Sequence, residues 1–225
     1  MRKTGKPKAI VSWSSGKDSA FALFKVMQSG EFDVVAMLTT VTSNYDRVSM
    51  HGVRRELLLR QASSLGLPLI EVEIPAKCTN EIYEAKMGAA MSRAKASGVE
   101  YVIFGDIFLE DVRKYREEKL SGTGISPVFP LWGEKPSNLA IGIIESGIRA
   151  RVSCLDPERL NRKLGGALFD RDFLDSIPDN VDPCGENGEF HTFVESSPLF
   201  SEPIAISVGE SVQRDRFLYT DLLPS

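Results

Sequence analysis

The strongest constraint on the fold is a repeated alternation of short, almost continuous apolar runs with longer amphipathic segments. Ala9-Ile10-Val11, Val34-Val35-Ala36-Met37-Leu38 and Tyr101-Val102-Ile103-Phe104 are runs of this kind. A strand that is apolar on both faces belongs in a parallel sheet covered by helices on each side, because a sheet with one wet face alternates instead. The pattern predicts strands over residues 8–13, 34–39, 69–74, 101–105, 127–129 and 148–153. Helices fill the gaps. Residues 17–27 carry Phe21, Leu23, Phe24 and Met27, and residues 54–65 place Leu58, Ala62 and Leu65 on one stripe that stops at Gly66. Residues 79–97 space Tyr83, Met87, Ala90, Met91 and Ala94 helically, and further helices are predicted over 109–120 and 137–146. The fold class expected is α/β, a doubly wound parallel sheet with ligands at the carboxyl ends of its strands.

After residue 153 the pattern changes. Residues 156–164 and 171–176 read as short helices, residues 181–188 as turns, and 189–195 and 204–208 as extended segments. The expected organisation is a nucleotide-binding domain over residues 1–153 and a small α+β substrate-binding subdomain over 154–225, closing over the sheet. Apolar residues make up 42% and charged residues 26%, as in ordinary globular enzymes. A net charge of −4 argues against a surface built for nucleic acid. No apolar run approaches the ~18 residues of a membrane span. The basic N-terminal stretch, with Arg2 and Lys3, is followed only by Ala9-Ile10-Val11, too short a core for a secretory signal. Cys78, Cys154 and Cys184 are isolated thiols that suit a reducing compartment, so the expected location is cytoplasmic. A homodimer is compatible with all of this.

The first strand runs directly into Ser14-Ser15-Gly16-Lys17-Asp18-Ser19 and then into a helix. Small residues let the backbone approach an anion, and the free N–H groups of the helix start point at it. The serines add hydroxyl donors, Lys17 a positive charge, and Asp18 a ligand for magnesium. A Walker A loop is excluded, because Gly16-Lys17 is followed by Asp18 and Val11 stands where its first glycine is needed. The stretch resembles the PP-loop of the ATP pyrophosphatases, Ser-Gly-Gly-x-Asp-Ser, with Ser15 replacing the first glycine. That resemblance implies ATP cleavage between the α- and β-phosphates, with the adenine near Thr39 and Thr40 at the end of the second strand.

A second constellation, Cys184 to Thr192, gathers Glu186, Glu189 and His191 within nine residues. In an extended segment Glu189 and His191 would face the same side, with Phe190 turned into the core. Such a pair suits amine binding or proton transfer. Asp106, after Phe104-Gly105, is expected beside the cleft, whereas Arg113 and Arg116 read as a solvent-facing, salt-bridged helix surface. His51 is the one other histidine.

Taken together, residues 12–19, Phe104-Gly105-Asp106-Ile107, Phe129-Pro130-Leu131-Trp132 and Gly185-Glu186-Asn187-Gly188-Glu189-Phe190-His191-Thr192 closely resemble the diphthine–ammonia ligase (diphthamide synthase) family. The resemblance runs in order from about residue 8 to 195. It implies an AMP-forming amidation: ATP and Mg²⁺ activate a carboxylate as an acyl-adenylate, and ammonia displaces AMP. By the same resemblance, Asp106, Glu186, Glu189 and His191 serve the amidation half, while residues 14–19 hold pyrophosphate. The acceptor is protein-borne diphthine or a small metabolite, and Glu-Phe-His-Thr resembles the form found in bacterial relatives. A PP-loop tRNA-modifying enzyme and a non-catalytic adenine-nucleotide sensor are the alternative readings.

Overall fold

In the computed structural model, which describes residues 5–225, β1 (Lys8–Ser12) is the centre of the first sheet, and its residues Ala9, Ile10 and Val11 are wholly buried. β1 pairs in parallel with β2 (Asp33–Thr42) on one side and with β5 (Val99–Ile103) on the other. β4 (Leu69–Ile74) extends the sheet beyond β2, and β6 (Ser126–Val128) extends it beyond β5, both in parallel. A two-residue strand, β3 (Arg47–Val48), pairs antiparallel with the end of β2. The alternating side chains of the strands feed two cores, which is what a sheet covered on both faces requires. Ala9, Val11 and Met37 join α1 (Lys17–Ser29), α2 (Arg55–Leu65) and α5 (Pro136–Glu145). Ile10, Ala36 and Leu38 join α3 (Asn80–Ala96) and α4 (Glu110–Leu120). The doubly wound parallel sheet read from the apolar runs is therefore the observed architecture.

The remaining strands make a separate antiparallel sheet in the order β8-β7-β10-β9. Its members are β7 (Arg149–Leu155), β8 (Phe190–Ser196), β9 (Ile206–Arg214) and β10 (Phe217–Pro224). Three expectations change here. The run at residues 148–153 belongs to this second sheet and not to the parallel one, since periodicity identifies a strand but not its partners. Residues 156–164 form no α-helix; they are turns ending in a single 3₁₀ turn at Arg162–Leu164. There Asn161 caps Lys163 and the buried Asp156 accepts from the N–H of Glu158, so side chains take the backbone donors a helix would use. The extended segment expected at 204–208 is the start of the longer β9, and β10 was not foreseen. Phe173 of α6 (Arg171–Ser176) packs against Phe190 at 5.0 Å, joining the second sheet to the main core.

No helix among the described residues is long and apolar enough to cross a membrane. All three cysteines are unpaired. The basic residues Arg2 and Lys3 lie outside the described residues.

Two small residues set how the strand ends meet α1. Ser15 has φ +65°, the left-handed region, at the position where the PP-loop pattern has glycine. Gly105 lies so close to the first turn of α1 that a Cβ would stand 2.8 Å from the carbonyl carbon of Asp18 and 2.9 Å from the nitrogen of Ser19. Because those atoms are backbone, Gly105→Ala should cost about 1–3 kcal/mol of stability in urea unfolding. Ser15→Gly should change stability by no more than about 0.5 kcal/mol, since relief of the left-handed strain offsets the added freedom of the unfolded chain. A harmless Gly105→Ala would contradict the close approach.

Candidate active site

The strand order reverses at β1: the chain proceeds through β2 and β4 on one side, then through β5 and β6 on the other. At such a switch point the loops diverge and leave a crevice at the strand ends. A cleft of about 350 Å³ lies there. Ser14, Asp18 and Ser19 line it from the phosphate loop, Thr39 and Thr40 from β2, and Asp106 from the end of β5. Glu186 and His191 enter from the second sheet's side.

Residues 14–19 form a self-bonded turn. The hydroxyls of Ser14 and Ser19 lie 3.2 Å apart, and Ser19 Oγ donates to the carbonyl of Gly16 at 2.9 Å. The first regular bond of α1 runs from Ala20 N–H to Gly16 O, so the N–H groups of Asp18 and Ser19 precede any intrahelical acceptor. The third such donor, Lys17 N–H, goes to Thr192 Oγ1 at 3.0 Å. From the same strand, Val194 N–H donates to Ser15 O at 2.9 Å. Gln61 of α2 completes the clamp: its amide donates to Ser15 O (3.2 Å) and Val194 O (2.8 Å), while its carbonyl accepts from Trp13 Nε1 (2.9 Å). Every polar atom of this fully buried side chain thus has a partner. β8 is the back wall of the loop.

Lys17 departs from the expected role. Its ammonium is buried behind the loop between the rings of Phe169 (5.2 Å) and Phe190 (5.0 Å), and donates to Asp18 at 3.0 Å and to the Cys184 carbonyl. Burial works against its charge, but Asp18 and the other acidic groups outweigh it and hold the pKa above the usual lysine value. Lys17 therefore ties loop to loop and does not line the cleft. Ser15 is likewise buried behind it. Gly16 is there for space, since a Cβ would meet His51 Cε1 at 3.0 Å. Thr39 donates its hydroxyl to Trp13 O at 2.7 Å, which fixes the edge of the cleft.

The acidic residues separate into two groups. Glu186 accepts from Ile107 N–H at 2.9 Å, and burial, with Asp18 and Asp106 nearby, pushes its carboxyl up to about 7. Its own N–H is held by Asp182 at 2.7 Å, so the turn aims it into the cleft. Glu189 does not face the cleft with His191, because β8 begins only at Phe190 and the alternation does not extend back to residue 189. It is fully buried, accepting from Arg159 (3.3 Å), Asp182 N–H (3.3 Å) and the Asn187 amide (3.2 Å). Its place is to hold the 182–189 turn together.

Two residues given less weight by sequence reasoning reach the site. Arg116 does not face solvent: its guanidinium pairs with Asp106 (Nε–Oδ2 2.7 Å) and stacks 4.3 Å from the Phe104 ring centroid. Arg113 does make the expected helix-surface pair, though with Glu117. His51 lies against His191, ring centroids 4.5 Å apart and planes tilted by 33°, bringing the two histidines of the chain together at the cleft. Its Nδ1 lies 3.3 Å from the Thr192 carbonyl, which can only accept, so the proton sits on Nδ1 and Nε2 carries a lone pair. Burial lowers His51 to about 4 and His191 well below the ordinary value. A polar Gln on the buried stripe of α2, beside Leu58 and Ala62, was the available signal for Gln61; nothing local signalled the histidine pair.

These depressed histidines predict acid sensitivity. Below about 6.5 the unfolded chain binds their protons while the folded chain does not, so stability present at neutral pH is lost as pH falls from about 6.5 to 4. For His51 the loss should be roughly 2–3 kcal/mol. Urea unfolding of His51→Gln at pH 7 and pH 4.5 should show a smaller loss than the parent; an equal loss would contradict the buried neutral pair.

The chain resembles known proteins along most of its length. Residues 7–126 match the family model of the diphthamide synthase N-terminal domain, and residues 135–220 match that of the diphthamide synthase C-terminal domain. The chain is 24% identical to the diphthine–ammonia ligase of Rattus norvegicus over 221 residues, covering 88% of this chain and 82% of that one. It is 25% identical to the Danio rerio diphthine–ammonia ligase, covering 88% of this chain and 86% of the relative. The Schizosaccharomyces pombe diphthine–ammonia ligase is also 25% identical, but only 36% of its length is covered. With both domain models matched in order, the chain belongs to the diphthamide synthase family.

Proposed function

We propose that this protein is an ATP-dependent carboxylate–ammonia ligase that forms AMP and pyrophosphate through an acyl-adenylate. The observation that carries the reading is the meeting of the phosphate loop, at Ser14, Asp18 and Ser19, with Asp106 and Glu186 in one cleft. An acceptor carboxylate oxygen attacks the α-phosphorus, the bond from that phosphorus to the bridging oxygen breaks, and pyrophosphate leaves. Ammonia nitrogen then attacks the acyl carbon, the bond to AMP breaks, and one proton is given up. The N–H groups of Asp18 and Ser19 and the hydroxyl of Ser14 are the donors for the departing pyrophosphate. Thr39 and Thr40 form the wall for the adenosine end.

Glu186 is the group for the amine. A carboxylate held near neutrality can bind ammonium, take its proton and return it. Asp106 adds negative charge beside it, restrained by Arg116. His191, with His51 packed against it, contributes a neutral imidazole wall rather than a cation. Glu189 supports the reaction through the turn that carries Glu186.

Magnesium fits this site as a companion of the nucleotide. Among the described residues no three His, Cys, Asp or Glu side chains form a ready-made cage. Mg²⁺ commonly uses one or two carboxylates with substrate phosphates, and Asp18, in the cleft with its side chain 28% exposed, is the residue that would hold it. When bound, the ion supplies charge neutralisation to the phosphates.

Incubation with ATP, ammonium and a panel of carboxylic acids should yield AMP and pyrophosphate, and Asp18→Ala should abolish both. ADP and phosphate as products would overturn the reading, and tight nucleotide binding without turnover would favour a sensor. With Glu186 needed ionised, the amidation rate should rise through pH about 7. Glu186→Gln should remove that rise and slow amidation by about 10²-fold or more, leaving ATP affinity within a few-fold of the parent.

A further inference from the structure

A triphosphate is strongly anionic, yet the side chains that line the cleft are mostly acidic where they are charged at all: Asp18, Asp106 and Glu186. Lys17 does not balance them there, because its ammonium is buried behind the loop and bonded to Asp18 and the Cys184 carbonyl. Burial keeps both histidines neutral. Among the residues lining the cleft, the one lysine or arginine is Arg116 of α4. It stands where the cleft passes into a groove between α3 and α4.

The guanidinium of Arg116 is held in a fixed plane with one edge unused. Asp106 occupies its side edge: Nε lies 2.7 Å from Oδ2, and Nη2 donates to Oδ1 at 3.1 Å. Its face rests on the Phe104 ring, 4.3 Å from the centroid. Among the described residues nothing accepts from Nη1, so the end-on edge made by Nη1 and the second hydrogen of Nη2 is open. The sheet sets where that edge lies. Gly105 packs on the peptide between Asp18 and Ser19, so Asp106 and the arginine bonded to it sit beside the N–H groups that start α1. Thr39 and Thr40 belong to β2, on the opposite side of β1 from β5. A nucleotide with its base at β2 and its phosphates over the loop therefore points its terminal phosphates toward Arg116.

Resting on the ligase reading above, we infer that Arg116 is a further catalytic residue: its open edge donates to the β- and γ-phosphates of bound ATP and stays with them as pyrophosphate leaves. When the bond from the α-phosphorus to the bridging oxygen breaks, that oxygen keeps the electron pair and negative charge grows on the pyrophosphate. The flat end-on edge of a guanidinium gives two parallel bonds to such a group. Asp106 and Phe104 hold the donor in place before the substrate arrives, so it need not reorganise as the charge develops. Asp106 is thus the holder of Arg116 and not a rival for its free edge.

A double-variant cycle separates direct contact from a restraint exerted through Asp106. Calorimetry measures the binding of α,β-methylene-ATP, pyrophosphate and AMP to the parent, Asp106→Asn, Arg116→Gln and the chain carrying both changes. The double variant leaves no orphaned charge in the pair, so it should fold, and urea unfolding checks that it does. Arg116→Gln should weaken α,β-methylene-ATP and pyrophosphate at least about tenfold, both alone and in the Asp106→Asn background, and leave AMP within about twofold. Asp106→Asn alone should bind the two anions at least as tightly as the parent, since it removes a negative charge. An Arg116→Gln change without effect in the Asp106→Asn background would reduce Arg116 to a restraint on Asp106 and overturn the proposal. Equal weakening of AMP would overturn it too. A parent that binds no α,β-methylene-ATP would sink the ligase reading and this inference with it, whereas a parent that binds it no better than Arg116→Gln does would sink this inference alone.

Discussion

The structure depends on the clamp that β8 places on the phosphate loop. Thr192 Oγ1 accepts from the N–H of Lys17, Val194 N–H donates to the carbonyl of Ser15, and the Gln61 amide donates to the carbonyls of both Ser15 and Val194. A loop that must expose donors to an anion cannot satisfy its own backbone, and it stays ordered only if its other face is bonded elsewhere. Here that other face is bonded by a strand about 175 residues away along the chain. The loop at residues 14–19 and the C-terminal sheet are therefore bonded into one unit and are not two modules set side by side. The buried Lys17 reinforces the arrangement by joining α1 to the carbonyl of Cys184, the residue that precedes Gly185 and Glu186.

The same clamp decides the electrostatics. Drawing β8 against the loop puts His191 beside His51 and brings the 182–188 turn over the strand ends, so Glu186 enters a place poor in water with Asp18 and Asp106 nearby. Burial then acts oppositely on the two chemistries: it favours the protonated carboxyl and the neutral imidazole. A site with a carboxyl near neutrality and uncharged histidines is suited to exchanging a proton with an amine without binding a second cation permanently. Arg116 balances Asp106 at the edge, where the cleft passes into the groove between α3 and α4.

Much of this was legible in the sequence where the signal was local. Apolar runs gave the parallel strands, and the strand–loop–helix order around residues 14–19 is the one observed, with Ser15 in the left-handed region. What depends on long-range pairing was not legible. β7 reads as one more strand until its partners β8 and β10 are known. Residues 156–164 look helical until the capping side chains Asn161 and Asp156 are seen to take backbone N–H groups. Glu189 and His191 share a period of two, but the strand starts between them, so one serves the turn and the other the cleft. Arg116 carried the pattern of a surface helix, and only the end of β5 opposite it explains why it turns inward.

The most direct measurement of the central claim follows an oxygen atom. A carboxylic acid acceptor labelled with ¹⁸O in its carboxylate is turned over with ATP and ammonium, and the phosphorus-containing products are analysed by mass. Attack of the carboxylate on the α-phosphate predicts one ¹⁸O in the AMP and none in pyrophosphate. Unlabelled AMP, or label appearing in inorganic phosphate beside ADP, would contradict the acyl-adenylate route.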